Sequence, residues 1–415
     1  MTDINQGNQK QIFIEPSDVL LFRDGRPFSA GEGHRARSIF PPTPNTMQGV
    51  IRSKVLSDRC GRYETYKNGC NDCEKQSNCT IPDEIGRPAQ NDRGSYGNLE
   101  IRGAIIAKYE YEKNNLTPYF PVPADVVEVK EKSEQRDHAK PRLRFLQPLP
   151  QKLYGDNDLS GDDLSDDPQA KLLPLWTQEK TPVEGVQGYW EQKDLENYLL
   201  QNYPSITQYT KADTLYLRES RYGIDVDNAR QTVKEGQLYQ TEFIRCKENI
   251  GLYTEVDGVS NLGGNLIAIG GENRAAQCHH LHQKIDWGNF TQSLENKLQQ
   301  ADGFKIYFAT PTIFKNGWLP QKLENLQGEY QGIEVELIAA SIPRYQTIGG
   351  WDVAYNRPKP TNRAIPAGSV YYFSSNAKPS EIIKAFHWQN IADEKSDAQI
   401  GFGLALVGAW NYLKL

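Results

Sequence analysis

The 415-residue chain has no long apolar run, and a membrane-spanning helix needs about 18 or more such residues in sequence. Its first ten residues, Met1 to Lys10, are polar, so no secretory leader is expected and a cytoplasmic residence is read from the sequence. Catalytic signatures are scarce as well. No Gly-x-Ser-x-Gly occurs, no glycine loop is followed by the Lys-Ser/Thr of a phosphate loop, and no Gly-x-Gly-x-x-Gly opens a helix with a downstream acid. Serine-hydrolase chemistry, nucleotide hydrolysis and dinucleotide binding therefore lack support. Cysteine is sparse at six residues, four of them between Cys60 and Cys79, which suits a local site in a reducing compartment and not a disulfide framework. Positive charge is not in surplus: the net charge is −6. A protein that coats nucleic acid indiscriminately is thus excluded, whereas a local basic groove is not. The acidic stretch Asp156 to Asp167, DNDLSGDDLSDD, is read as a polar loop; without it the charges nearly cancel.

Apolar residues make up 38% of the chain, including 22 Tyr and 14 Phe, enough to build cores beneath long polar loops. The length favours two domains. The segment QIFIEPSDVLLF (11–22) suits a strand broken at Pro16, and a glycine-rich loop follows it. Thr43 or Asn45 is a candidate cap for a helix carrying Met47, Val50, Ile51 and Val55 at helical spacing. Leu99 to Tyr111 and Pro118 to Pro123 are strand-like. The charged, proline-dotted stretch of about 128–205 is read as an insertion. Tyr239, Thr241 and Phe243 then alternate as on a strand.

The rest of the chain has cleaner periodicity. A strand ends near Ile269, a helix follows with Phe290, Leu294 and Leu298, and Phe304, Ile306 and Phe308 alternate. Ile333, Val335 and Leu337 alternate against Glu334 and Glu336, as on a sheet with one wet face. Ser369 to Ser374 adds a strand, Ser380 is a candidate cap for a helix with Ile382, Ile383 and Phe386, and Gly403 to Tyr412 closes the chain as a strand. The expected class is α+β: the C-terminal order of strand, helix, strands, helix, strand matches the split βαβ pattern of a ferredoxin-like (RRM-like) domain, and two domains are expected, with a long polar insertion in the first. Their expected limits are 1–248, including a cysteine loop of about 57–95 and the charged insertion, and 249–415.

Three glycine loops carry basic residues. FRDGRPFSAGEGHRARSIF sets Arg23, Arg26, His34, Arg35 and Arg37 among Gly25, Gly31 and Gly33, where bare backbone approaches a polyanion closely and guanidinium forks match phosphate. The bland alternative is a solvated loop with internal Arg–Asp pairs. IGGENRAA offers Gly270, Gly271 and Arg274. Gly401-Phe402-Gly403 resembles part of an RNA-recognition strand motif, although Ile400 and Leu404 replace its basic and second aromatic residues; a tight turn into a buried strand fits equally.

Cys60, Cys70, Cys73 and Cys79 follow C-x9-C-x2-C-x5-C, and a C-x2-C knuckle suits tetrahedral zinc. A structural zinc ion is expected, with an iron–sulfur cluster or free thiols as alternatives. Cys278-His279-His280-Leu281-His282 is a poor metal site, because neighbouring residues do not converge easily on one ion. His34 is the histidine best placed as a general base, yet no nucleophile–base–acid set assembles around it.

Taken in order, IEPSDVLLFRDGRPF, FPPTPNTMQGVIRS, PYFPVPADVV, RYGIDVDNAR with EGQLY, IGGENR, AIPAGSVYYF and GFGLALVGAW resemble the Cmr subunit three family of type III-B CRISPR effectors, within the RAMP superfamily. The resemblance runs from residue 12 to 410, apart from the insertion. It implies a pair of ferredoxin-like (RRM-like) βαββαβ domains, and a non-catalytic, antiviral-defence subunit that holds the 5′ repeat-derived handle of a guide RNA. The implied partners are the large polymerase-like subunit and a backbone subunit of the complex, with no membrane involved. The RNA ligands expected from it are Arg23, Arg26, His34, Arg35, Arg37 and Arg52, with Gly270, Gly271, Arg274, Gly401 and Gly403. An alternative in the same superfamily is a guide-processing endoribonuclease with His34 as its base.

Overall fold

The computed structural model describes residues 9–24, 35–71, 73, 78–87, 95–130, 141–150, 171–227 and 232–414. Arg26, His34 and the acidic stretch 156–167 lie outside the described residues.

The chain opens with strand β1 (Lys10–Pro16), the short β2 (Arg35–Ala36) and helix α1 (Pro44–Arg59). Thr43 occupies the cap position of α1, as its sequence suggests. Two five-residue helices follow, α2 (Tyr63–Lys67) and α3 (Ile81–Ile85), then strands β3 (Glu100–Glu110) and β4 (Asn115–Pro121). Strand β5 (Tyr189–Glu191) leads directly into helix α4 (Gln192–Leu199). Strands β6 (Tyr216–Asp227) and β7 (Thr232–Cys246) form a long hairpin, and β8 (Ile250–Asp257), β9 (Leu266–Ile269) and β10 (Arg274–Leu281) come next.

An antiparallel seven-stranded sheet is built in the order β5-β4-β3-β8-β1-β10-β9. Its β1 sequence explains why no face of this strand is polar at the centre. Ile12 and Ile14 point into one core beside Met47, Ile51 and Val55 of α1, whereas Phe13 between them joins a second core. The strand period of two therefore splits one apolar triplet between two layers. Residues expected in a C-terminal domain from position 249 onward, those of β8, β9 and β10, pair instead in this first sheet. Polar and apolar alternation alone reports that a strand exists, not which sheet it joins.

The supposed insertion also needs correction. Its second half supplies β5, paired to β4, and the buried Trp190, Leu195, Tyr198 and Leu199. These residues fasten the segment to the shared core.

Beyond helix α5 (Gly288–Leu298) come strands β11 (Gly303–Phe308), β12 (Gln327–Tyr330), β13 (Ile333–Ser341) and β14 (Val370–Ser374). Helix α6 (Pro379–Phe386), strand β15 (Gln389–Asn390), helix α7 (Lys395–Gln399) and strand β16 (Leu404–Trp410) complete the chain. The second sheet runs β12-β13-β14-β11-β16-β15. Helix α6 is capped at Lys378, two residues before Ser380, with the Lys378 N–H donating to the Glu381 carboxylate at 3.2 Å. The proline at its first position fits a helix start.

Helices α5 and α6 pack on each other and on β16, while α4 approaches the opposite half so closely that a Cβ on Gly408 would meet the Leu199 backbone at 2.9 Å. One core cluster spans both sheets, including Phe13, Ile105 and Tyr253 from the first and Phe304, Tyr371 and Trp410 from the second. Short strands Val126–Val129, Leu143–Phe145 and Val183–Gly185 make a small additional sheet.

Candidate nucleic-acid interface

The basic loop is framed by a three-stranded ribbon, β6-β7-β2, in which β2 runs parallel to β7 with Arg35 opposite Gln240. On the other side of the loop, Leu20 and Ile244 exchange two backbone hydrogen bonds of 2.8 Å. The two stems meet through Ile39 N–H to Phe22 O at 2.8 Å and Asp24 N–H to Arg37 O at 3.1 Å. Residues 20–24 and 35–39 therefore form a clamped base from which the loop departs.

Ser38 secures that base. Its hydroxyl donates to the Glu242 carbonyl at 2.6 Å, and its own carbonyl accepts from Arg218 Nη1 at 2.7 Å. Arg218 also pairs with Glu242 at 2.6 Å. Burial works against the charge of Arg218, but the hydrogen bond to Glu242 raises its affinity for the proton above the ordinary value. Arg23 and Arg37 are exposed on this base; only the backbone of Arg35 is described.

Further arginines gather around Phe243. The guanidinium of Arg221 stands 4.8 Å from the ring centroid and that of Arg274 stands 5.3 Å away, within cation–π range. Arg245 pairs with Glu219 and lies 3.2 Å from Asp18, and Arg221 lies 3.3 Å from Glu219. Arg274 pairs with Glu272. Hydrogen bonding to Arg245 holds the half-buried Glu219 carboxyl below its usual range. These acids fix the guanidinium directions while Arg221 and Arg245 stay open to solvent, so a phosphate can exchange for a carboxylate there. Tyr222, which is 71% exposed, and Tyr239 stand out from the same hairpin, supplying faces on which bases can stack.

Gly270 and Gly271 support the ribbon from beneath. Gly271 N–H donates to Leu21 O at 2.8 Å. Gly270 has φ +74°, and a Cβ there would approach Leu21 O to 2.6 Å, so both its conformation and its clearance call for glycine. This turn thereby brings Arg274 to the stem of the basic loop, joining two sequence groups that are about 250 residues apart in the chain.

The other expected ligands are placed elsewhere. Arg52 on α1 donates to the Tyr66 hydroxyl at 3.0 Å and lies near the Tyr96 ring. Gly401 and Gly403 are buried. Gly401, at φ +110°, sits with its Cβ position 2.8 Å from Gly103 O, and its carbonyl accepts from Thr310 Oγ1 at 2.7 Å. Their turn joins the two sheets, which is the tight turn into a buried strand also read from the sequence.

The cysteines Cys60, Cys70, Cys73 and Cys79 line one cavity of about 330 Å³. Among the described residues, no three His, Cys, Asp or Glu side chains are arranged so as to hold a metal ion. Cys278 and His280 lie on one side of β10 and His279 between them on the other, as strand alternation demands.

Arg218, Arg221 and Arg245 were not singled out by sequence. The available signal was a row of arginines on two adjacent strand-like segments, but its meaning depended on their pairing. Arg221 faces Thr241 and Arg245 faces Leu217 in the hairpin register.

The architecture defines a strand-dominated α+β protein with arginines gathered on one hairpin ribbon. The chain belongs to the CRISPR-associated protein Cas_Cmr3 family, whose model matches residues 12–410. The CRISPR system CMR subunit Cmr3 of Saccharolobus solfataricus is 26% identical over 157 residues, spanning 37% of this chain and 43% of that protein. The chain thus matches less than half the length of this relative. A chain in the cryo-EM structure of the Type III-B Cmr-beta bound to cognate target RNA and AMPPnP is similar with TM-score 0.48 and 16% identity, covering 95% of each chain. A chain of the Csm3-Csm4 subcomplex of the type III-A interference complex gives TM-score 0.38 at 12% identity, covering 97% of this chain and 99% of the other.

Proposed function

We propose that this chain is a non-catalytic subunit of a type III-B CRISPR effector complex. It holds the 5′ repeat-derived handle of the guide RNA and docks the large polymerase-like subunit beside the backbone subunit. The observation carrying this reading is the clamped β6-β7-β2 ribbon. One face of its hairpin presents Arg221 and Arg245 beside Arg274, with Tyr239; Tyr222 stands on the other face, and Arg23 and Arg37 lie at the root of a glycine-rich basic loop. Guanidinium groups and exposed rings answer the two chemical features of a single strand, phosphate and base face.

The strand orders support taking each half as a ferredoxin-like unit. The first contains β10-β1-β8-β3 and the second β13-β14-β11-β16, both of which follow a fourth-first-third-second arrangement of four strands. Helix α1 supplies the first crossover in one half and α6 the second crossover in the other.

The acidic net charge implies that the chain by itself holds RNA weakly and that a partner completes the groove. Crosslinking a handle-labelled guide in the assembled complex tests the site. Crosslinks are expected within residues 21–39 and on the β6-β7 hairpin. Their absence from both segments would overturn this assignment.

A further inference from the structure

Among the described residues of 60–87, α2 and α3 are helices of five residues each, too short to persist on their own propensity. Yet this segment closes around a defined cavity of about 330 Å³, lined by Cys60, Cys70, Cys73 and Cys79 with Tyr66 and Arg87. Four thiols from four sequence positions border one space. We infer that this cavity is a zinc site, with Cys60, Cys70, Cys73 and Cys79 as four thiolate ligands. The ion acts structurally, stapling residues 60–87 to the end of α1.

The local backbone fits the assignment. Cys73 N–H bonds to Cys70 O at 3.1 Å, closing a tight turn, and Cys70 adopts φ +63°, an uncommon left-handed conformation for a non-glycine residue. This is the bend by which a Cys-x-x-Cys pair can bring both sulfurs toward one ion. Cys60 caps α1, its N–H bonded to Leu56 O at 3.0 Å, so one ligand is anchored to the longest helix of the first half. Cys79 stands immediately before α3.

Charge favours the same assignment. Zinc with four thiolates carries two net negative charges, and the Arg87 guanidinium borders the cavity while donating to Gly69 O. All six cysteines are free thiols in the structure. The four sulfurs line the wall and do not yet stand at a common ligating point. Loading therefore includes an inward turn of the cysteine side chains, with release of their protons.

This staple would bear on the rest of the fold. Tyr66 on the cavity wall receives Arg52 of α1, and Lys67 of α2 lies 5.5 Å from the Tyr355 ring of the second half. Losing the ion would loosen both contacts.

The full chain, expressed with zinc and purified without chelator, is to be assayed by elemental analysis and by thiol titration. The expected result is about one zinc per chain, with Cys60, Cys70, Cys73 and Cys79 becoming reactive only after the metal is stripped. Cobalt loading should give the visible spectrum of a tetrahedral thiolate site. Cys73→Ser should lose the metal, while Cys278→Ser in β10 should retain it. If Cys73→Ser fails to fold, the metal content and thiol protection of the unaltered chain decide the matter. Absence of zinc, iron with inorganic sulfide in its place, or a disulfide among the four cysteines would overturn the assignment.

Discussion

Lys305 is fully buried on β11, its Nζ 3.3 Å from the Tyr198 ring centroid and 5.7 Å from that of Tyr203. Among the described residues Nζ has no hydrogen-bond partner, and the nearby Asp125 instead accepts from Tyr198 at 2.6 Å and from Tyr372. Burial pulls the Lys305 pKa down to about 7, against a smaller opposing pull from Asp125. Unfolded lysine titrates near 10.5, so between about pH 7 and 10 the unfolded chain binds more protons at this position than the folded one does. Stability must then rise with pH across that window, by up to roughly 1.4 kcal/mol per unit. Below pH 7 both states are protonated and this contribution is flat at its least favourable value. Urea unfolding at pH 7, 8 and 9 should show the unaltered chain gaining stability relative to Lys305→Met. A pH-independent difference between the two proteins would refute the argument. The arginines of the ribbon make a separate residue-scale prediction. In the assembled complex, replacing Arg37 and Arg221 by Ala should weaken guide retention and flatten its dependence on salt, by at most about one unit of slope per lost phosphate contact. Unchanged retention in a titration from low to high salt would leave these side chains without an RNA role.

At the scale of elements, the β6-β7 hairpin contains a local test of base stacking. Gly223 lies opposite Tyr239, and a Cβ on Gly223 would fall 2.1 Å from the Tyr239 ring. Because this ring is partly exposed, Gly223→Ala should displace it at little cost to the melting temperature. Guide retention by Gly223→Ala and by Tyr239→Ala should fall to similar extents, and the double variant should lose no more than either alone. Additive losses would separate the two positions. Helix α3 is fastened by Glu84, which accepts from Arg59 at 2.8 Å, Thr80 at 2.6 Å and the Ser260 N–H at 3.0 Å. Burial alone would push this carboxyl up, but those hydrogen bonds hold it down to about 2. Its stabilisation is therefore complete above the usual carboxylate range and is lost as pH falls toward 2. Glu84→Gln should cost roughly 1–3 kcal/mol in denaturant unfolding at neutral pH, with the deficit shrinking in acid.

Elements such as α1, α5, β11 and β13 were legible because their apolar residues repeat with the period of the structure they adopt, and β16 because it is an unbroken apolar run. Strand β5 and helix α4 were not, since Trp190, Leu195, Tyr198 and Leu199 are scattered among charges, and their burial depends on a sheet completed by distant segments. The candidate site was legible in the same uneven way. A glycine-rich basic loop announces itself locally, whereas the Arg218, Arg221 and Arg245 group exists only after two strands pair. The glycines of residues 401–403 carried an ambiguous signal, because a left-handed turn needs glycine whether it faces a phosphate or a neighbouring backbone.

For the whole molecule, the decisive feature is the seam between the two sheets. Trp388 Nε1 reaches the Glu255 carboxylate at 3.1 Å, Asn390 Nδ2 reaches Ile101 O at 2.8 Å, and the Tyr307 hydroxyl reaches Pro121 O at 2.7 Å. Each bond crosses from the second half to the first. Together with the core shared by Phe13 and Phe304, they leave each sheet with one apolar face that it could not keep dry alone. The halves should consequently unfold together, although two-domain chains of this length commonly do not. Intrinsic fluorescence is weighted toward the second half, which holds Trp287, Trp318, Trp351, Trp388 and Trp410 against Trp176 and Trp190 earlier in the chain, while far-ultraviolet dichroism reports on all strands; the two transitions should coincide in urea. Gly401→Ala would test the seam directly, because its Cβ enters the 2.8 Å gap to Gly103 O in a left-handed conformation. It should lower stability by roughly 1–3 kcal/mol and move both signals by the same amount. A variant that shifts tryptophan fluorescence but leaves the dichroism midpoint in place would mean that the halves are independent, and that a ribbon on the first sheet could not sense a partner docked on the second.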